Sequence, residues 1–215
     1  MRPFLTAILL TLTISLFSQT RNISTAAVSP LASYSKQWNE AKYMACNTAA
    51  DIVYLSKTEK EVIYILNLIR TYPSLFASTV LQKYPVVSGR NYLAEDSFYF
   101  ISLITSLQKM EPVNLLYPDK TCFESAKCHA SRSGLTGYVG HERTTKDCKS
   151  KKHFSAECCD YGHSDPLEIV LSLLIDENVP SLGHRFACLG SYTKLGISIQ
   201  PHNVYGRNAV LDFYY

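Results

Sequence analysis

Leu195-Gly196-Ile197-Ser198-Ile199-Gln200 alternates apolar residues with small or polar ones, and Ala209-Val210-Leu211-Asp212-Phe213 adds a second extended run. A period of two is that of a strand with one buried face. Pro201 to Gly206 lies between the runs and carries turn residues, so the chain is expected to end in a β-hairpin. Upstream the period becomes helical. Val62, Ile65, Leu66 and Ile69 recur at i, i+3, i+4 and i+7 from about Lys57, with Thr58 and Glu61 as a candidate capping box. Tyr72-Pro73 breaks that helix, and a short one follows over 74–83. Phe100, Leu103, Ile104 and Leu107 form another stripe that opens near Asp96 or Ser97. A helix is predicted over 118–134, with Pro118 in its first turn and Gly134 as its left-handed cap. Cys122, Ala126 and His129 share one face of it, which reads His129 as a core histidine. Ser164-Asp165-Pro166 is the clearest helix start, because the cap residue and the first-turn proline agree; this helix runs to about Glu177. Helices set against a terminal hairpin imply an α+β fold in which helices cover an antiparallel sheet.

With 215 residues, 47% hydrophobic, the chain suffices for one domain with a sizeable core, and no linker divides it. The net charge of +3 comes from dispersed residues, and the one dense run, Lys149-Ser150-Lys151-Lys152-His153, reads as a solvated loop. No nucleic-acid partner is therefore expected. Arg2, the apolar stretch from Phe4 to Phe17 and small Ser18 have the parts of an export signal. That stretch falls short of the roughly 20 apolar residues a membrane span needs, so a secreted or periplasmic protein without a membrane span is expected. Residues from about Gln19 show no sustained period. These readings divide the chain into an export signal at 1–18, a mobile leader at 19–56 and a folded domain at 57–215. Seven cysteines in an exported chain suggest disulfides, with at least one thiol left over. Cys122 and Cys128 on one helix stand about 9 Å apart along its axis, too far to bridge, whereas Cys148 with Cys158 or Cys159 closes a polar loop. No CxxC occurs, and the adjacent Cys158 and Cys159 lack the spacing of a structural zinc cluster.

Four segments concentrate ionisable groups: Gly140-His141-Glu142-Arg143, Ala156-Glu157-Cys158-Cys159-Asp160-Tyr161-Gly162, Leu173-Leu174-Ile175-Asp176-Glu177, and Ser181-Leu182-Gly183-His184-Arg185. Their order resembles the CAP superfamily, the cysteine-rich secretory, antigen 5 and pathogenesis-related proteins with an SCP-like domain. In that pattern a histidine follows a helix, a Gly-Glu-Asn-like segment starts a strand, an acid lies late in a helix, and Gly-His leads into the closing strands. Asn67-Leu68-Ile69-Arg70-Thr71-Tyr72-Pro73 is similar to the first-helix motif of bacterial members. The resemblance covers roughly Glu59 to Phe213. It implies a three-layer αβα sandwich with a central antiparallel sheet, in which His141, His184, Glu157 and Asp176 meet in a cleft, with Glu177 as the substitute acid. Ala156 and Cys158 depart from the usual Gly and Asn around Glu157, and Leu173 replaces an aromatic often found before the helix acid.

Two imidazoles and two carboxylates suit a divalent ion such as zinc, His141 and His184 as ligands and the acids as orienting partners or bases. The alternative is a purely structural set of His–acid hydrogen bonds. As a binding module the cleft would take an apolar or peptide-like extracellular ligand, lipid and sterol included; as an enzyme it would be a metal-assisted, peptidase-like hydrolase. The binding module is the leading expectation. His141-Glu142 lacks the second histidine of a zincin helix, no Gly-x-Ser-x-Gly elbow occurs, and no phosphate-cradling glycine loop is present. His153, His163 and His202 are expected at the surface or in caps.

Overall fold

The computed structural model describes residues 28–215. The export-signal reading at 1–18 and the leader through residue 27 lie outside the described residues. Helix α1, Lys57–Thr71, opens on Ser56, whose hydroxyl accepts from the Glu59 amide while the Glu59 carboxylate accepts from the Ser56 amide. The capping box is thus Ser56/Glu59 rather than Thr58/Glu61, because the helix begins one residue before Thr58. Every residue from Val62 to Arg70 is buried, so α1 is a central helix with no solvent stripe. A helical turn at Pro73–Phe76 continues into π-helical Ala77–Leu81, and α2 spans Phe98–Lys109 behind its Ser97 cap. Helix α3 covers Lys120–Thr136, α4 Pro166–Ile175 and α5 Gly183–Leu189.

Four strands form one sheet in the order β1-β3-β4-β2: β1 is Tyr117–Pro118, β2 Ala156–Tyr161, β3 Lys194–His202 and β4 Gly206–Tyr214. The predicted hairpin is β3–β4, paired from Lys194↔Tyr214 to His202↔Gly206. The sheet is mixed and not wholly antiparallel, since the short β1 runs parallel to β3. Leu195, Ile197, Ala209, Leu211 and Phe213 join the main core with α1 and α4. The alternate residues face α3: Val210 packs with Ala126 and Ala130, and Asn208 donates to Ala130 O.

Gly196 and Gly134 explain how closely α3 lies on the sheet. A Cβ on Gly196 would fall 2.0 Å from backbone atoms of Cys122 and Phe123, and one on Gly134 would fall 2.0 Å from Pro201 O. Gly134 is therefore a contact residue inside α3. The left-handed cap is Gly137, at φ 73°, and at the other end Asp119 caps Cys122 N, so Pro118 stays in β1.

The leader reading fails from residue 28 onward. Leu31, Trp38, Tyr43, Cys46 and Ala49 are buried in the main core, reached through turns and short helical segments that carry no period. Asn67 and Arg70 on α1 have a structural function. Asn67 bonds Cys46 O and both backbone groups of Leu116, while Arg70 donates to Asn114 O, Cys188 O and Tyr192 O. Burial lowers the Arg70 guanidinium to about 10, and three carbonyls replace its lost water. These bonds clamp the end of α5, the helix that carries His184.

Among the described residues the disulfide is Cys128–Cys148, not Cys148 with Cys158 or Cys159. It ties α3 to the short helix Lys146–Ser150. Cys122 does stay unbridged on the same helix as Cys128, and Cys46, Cys158, Cys159 and Cys188 are buried thiols. No described helix is long and apolar enough to cross a membrane.

Candidate functional site

His141 follows α3 in an irregular segment that is pinned through Gly140. His129 Nε2 donates to Gly140 O at 2.8 Å, and Gly140 N donates to the Tyr161 hydroxyl at 3.0 Å. His129 is the satisfied core histidine its helix face implied; burial first, then nearby Arg143, lowers its affinity for a proton. From this anchored turn His141 reaches β2, and its Nδ1–H donates to Glu157 Oε1 at 2.9 Å.

His184 sits in the first turn of α5. Asp176 is not inside a helix: it is the left-handed C-cap of α4, at φ 54°. From there its Oδ2 accepts from the His184 amide at 2.9 Å and its Oδ1 accepts from His184 Nδ1–H at 2.8 Å. Asn178 and Leu182 also have positive φ, so the loop from Asp176 to His184 holds three non-glycine residues in a region that costs L-residues free energy. Arg185 offsets part of that cost by donating to Leu174 O and Ile175 O, the free carbonyls at the end of α4. The loop geometry is thus held from both sides.

The two predicted histidines therefore meet, ring centres 5.9 Å apart, each backed by one predicted acid. Glu177 lines the same cleft but bonds neither histidine, so Asp176 is the partner. Carboxylates on both Nδ1–H groups select the tautomer whose Nε2 carries the lone pair. Two imidazoles on one tetrahedral ion, nitrogens about 2 Å from it, put ring centres roughly 5 Å apart, so the pair is within a small side-chain adjustment of that spacing. Imidazole nitrogens are donors of the kind a divalent ion accepts.

Behind His141 lies a buried charge cluster that the sequence did not disclose. Arg143 pairs with Glu157 and, at 3.2 Å, with Asp212, which faces Glu157 across β2–β4 and accepts from Ser125 Oγ at 2.6 Å. Burial acts to raise Glu157, but hydrogen bonds from His141 and Arg143 outweigh it and hold the carboxyl at about 2. Burial and the neighbouring Glu157 push Asp212 well above its usual range. His141 and Arg143 thus hold Glu157 low, while its proximity helps hold Asp212 high. An acid inside the apolar run Val210-Leu211-Asp212-Phe213 was the available signal.

A cavity of about 500 Å³ opens beside His184 and Asp176 and runs to Asp160, His163, Glu168 and Arg90. His163 is half-buried at the surface: its Nδ1 donates to buried Asp160 at 2.9 Å, and that bond raises its affinity for a proton. His153 stacks on Tyr214, and buried His202 caps the hairpin turn by accepting from Val204 N and Tyr205 N. Cys159 Sγ is 3.7 Å from His141 Nδ1, yet burial and then Glu157 push the thiol far up, which removes the thiolate a nucleophile needs.

Three tighter donor groups occur among the described residues: Asp119/Cys122/His153, Cys128/Asp147/Cys148 and His129/Glu157/Cys159. In the second, both sulfurs are spent in the disulfide. In the third, His129 and Glu157 are already committed to Gly140 and to His141 and Arg143. Comparison with known proteins gave no match: no family model, no curated protein and no solved structure is similar to the chain.

Proposed function

We propose that this is a secreted protein of the CAP type, an αβα sandwich whose cleft binds a divalent metal ion, zinc by preference, and a peptide-like ligand beside it. The carrying observation is the pairing of both histidines with carboxylates through Nδ1, which leaves two Nε2 lone pairs on neighbouring rings. His141 and His184 would hold the ion, with Glu157 and Asp176 fixing their tautomers. A bound ion would supply a Lewis acid and a site for water in the positions the protein leaves open. Export is supported by the N-terminal pattern and by the Cys128–Cys148 disulfide.

A binding module is favoured over a metal-assisted hydrolase by the commitments of the acids. Glu157 is taken up by His141 and Arg143, and both Asp176 oxygens accept from His184, so neither is free to act as general base. Charged groups along the cleft favour a polar, peptide-like occupant over a lipid or sterol. Zinc titration of the purified protein beside His141→Ala and His184→Ala tests the proposal. One ion per chain is expected for the wild type, with affinity falling at least about 100-fold in each variant; three equal affinities would overturn it.

A further inference from the structure

Two sulfurs that the cleft does not use lie against each other in the main core. Cys158 on β2 and Cys188 on α5 are both fully buried, and their Sγ atoms stand 4.0 Å apart. The other thiols are placed elsewhere. Successive residues of a strand face opposite sides of its sheet, and Cys159 accordingly packs with Ala126, Ala130 and Val210. Cys122 sits on α3, and Cys46 is held beside Asn67 of α1. A disulfide of about 2.05 Å requires Cys158 and Cys188 to close by roughly 2 Å, within the arc a cysteine sulfur sweeps on turning about its Cα–Cβ bond. The chain already holds one oxidised pair, Cys128–Cys148, and a compartment that makes that bond also oxidises other thiols that meet.

We infer that Cys158 and Cys188 form a second disulfide of the exported protein, fastening β2 to α5. The inference rests on the export half of the function proposed above and not on metal or ligand binding. The reaction is exchange with the disulfide of a donor protein in the export compartment. One cysteine thiolate displaces a donor sulfur to give a mixed disulfide, the other then displaces the second donor sulfur, and the donor leaves as a dithiol carrying two electrons and two protons. Burial pushes the folded Cys158 thiol far above its ordinary range, so the attack belongs to the stage before β2 and α5 close over the pair. Once closed, the bond is shielded from reductants. Glu157 adjoins Cys158 and His184 lies one helical turn before Cys188, so the bond ties the strand behind His141 to the helix of His184.

Protein recovered after export, denatured without reductant, alkylated with a maleimide and weighed by mass spectrometry supplies the test. Seven cysteines less the four in two bonds leave three labels, expected on Cys46, Cys122 and Cys159. Cys158→Ser and Cys188→Ser should each carry four labels, because the abandoned partner is exposed, whereas Cys159→Ser should carry two. Since a serine in the core can disturb folding, the wild type supplies a second readout that needs no variant. Its unreduced peptide map should join the segment of residue 158 to that of residue 188, with fragmentation between residues 158 and 159 placing the link on the former. Five labels with Cys128–Cys148 intact would overturn the inference and leave the export reading standing. Seven labels would remove both together. Three labels with the link on Cys159, or between any other pair, would overturn the assignment.

Discussion

Asp176→Asn tests the site with little disturbance to the fold. Residue 176 is left-handed at φ 54°, and asparagine tolerates that conformation about as well as aspartate, so the C-cap of α4 should survive. What changes is the count of acceptors. Asp176 receives two donors, the His184 amide at 2.9 Å and His184 Nδ1–H at 2.8 Å, whereas asparagine has one oxygen for the two. The oxygen should stay with the buried amide, because the half-exposed ring can exchange its lost bond for water or turn its proton to Nε2. That proton shift removes the lone pair on which the proposed metal binding depends. Losing an orienting carboxylate of this kind costs about 10- to 100-fold in metal affinity, about 1.4–2.8 kcal/mol. Zinc competition against a chromophoric chelator measures it, with circular dichroism as the check on folding, and Glu177→Gln as a control expected to match the wild type. Wild-type affinity in folded Asp176→Asn, together with a loss in Glu177→Gln, would reverse the assignment of the orienting acid.

Gly196→Ala should drive α3 off the sheet, since its Cβ would meet backbone 2.0 Å away; urea melts should register a loss of about 3 kcal/mol or more. Reducing Cys128–Cys148, or replacing Cys128 by serine, frees a loop with a sequence separation of 20 residues and should cost about 3 kcal/mol, read as a fall in melting temperature. Asp212→Asn mimics the protonated acid. Because the folded-state value of Asp212 is raised, the wild type loses stability as pH climbs above the ordinary aspartate value of about 4, and the variant should gain on it as pH rises from there. Glu157 has the opposite sign: its contribution is full above the ordinary glutamate value and is lost as pH falls toward about 2, in both proteins. A melting-temperature difference that stays flat with pH would refute the raised proton affinity of Asp212.

What the sequence disclosed, and what it hid, follows from which interactions leave a period. The amphipathic stripes and the closing hairpin were legible because burial on one face repeats every 3.6 or 2 residues. Residues 28–55 were not, because Leu31, Trp38 and Tyr43 enter the core from turns, where burial has no repeat. Helix ends moved for local reasons. Asp119 outcompeted Pro118 as a start by capping Cys122 N, and Gly137 took the left-handed cap because Gly134 was needed flush against Pro201. Motif order proposed four candidate residues, but which of them pair is a property of the folded chain: Asp176 meets His184 because α4 stops on a left-handed residue and the loop turns back. The less visible residues are those whose partners are backbone carbonyls or cross-strand neighbours. Asn67, Arg70 and Arg185 hold main-chain oxygens that any sequence would offer, so the segments stood out in the sequence but their partners did not. Asp212 depends on β2–β4 register, and a slip of one residue would turn it from Glu157 to the opposite face. Such a slip would leave Arg143 with one carboxylate and remove the competition that keeps Asp212 protonated. The raised proton affinity of Asp212 is therefore tied to strand register.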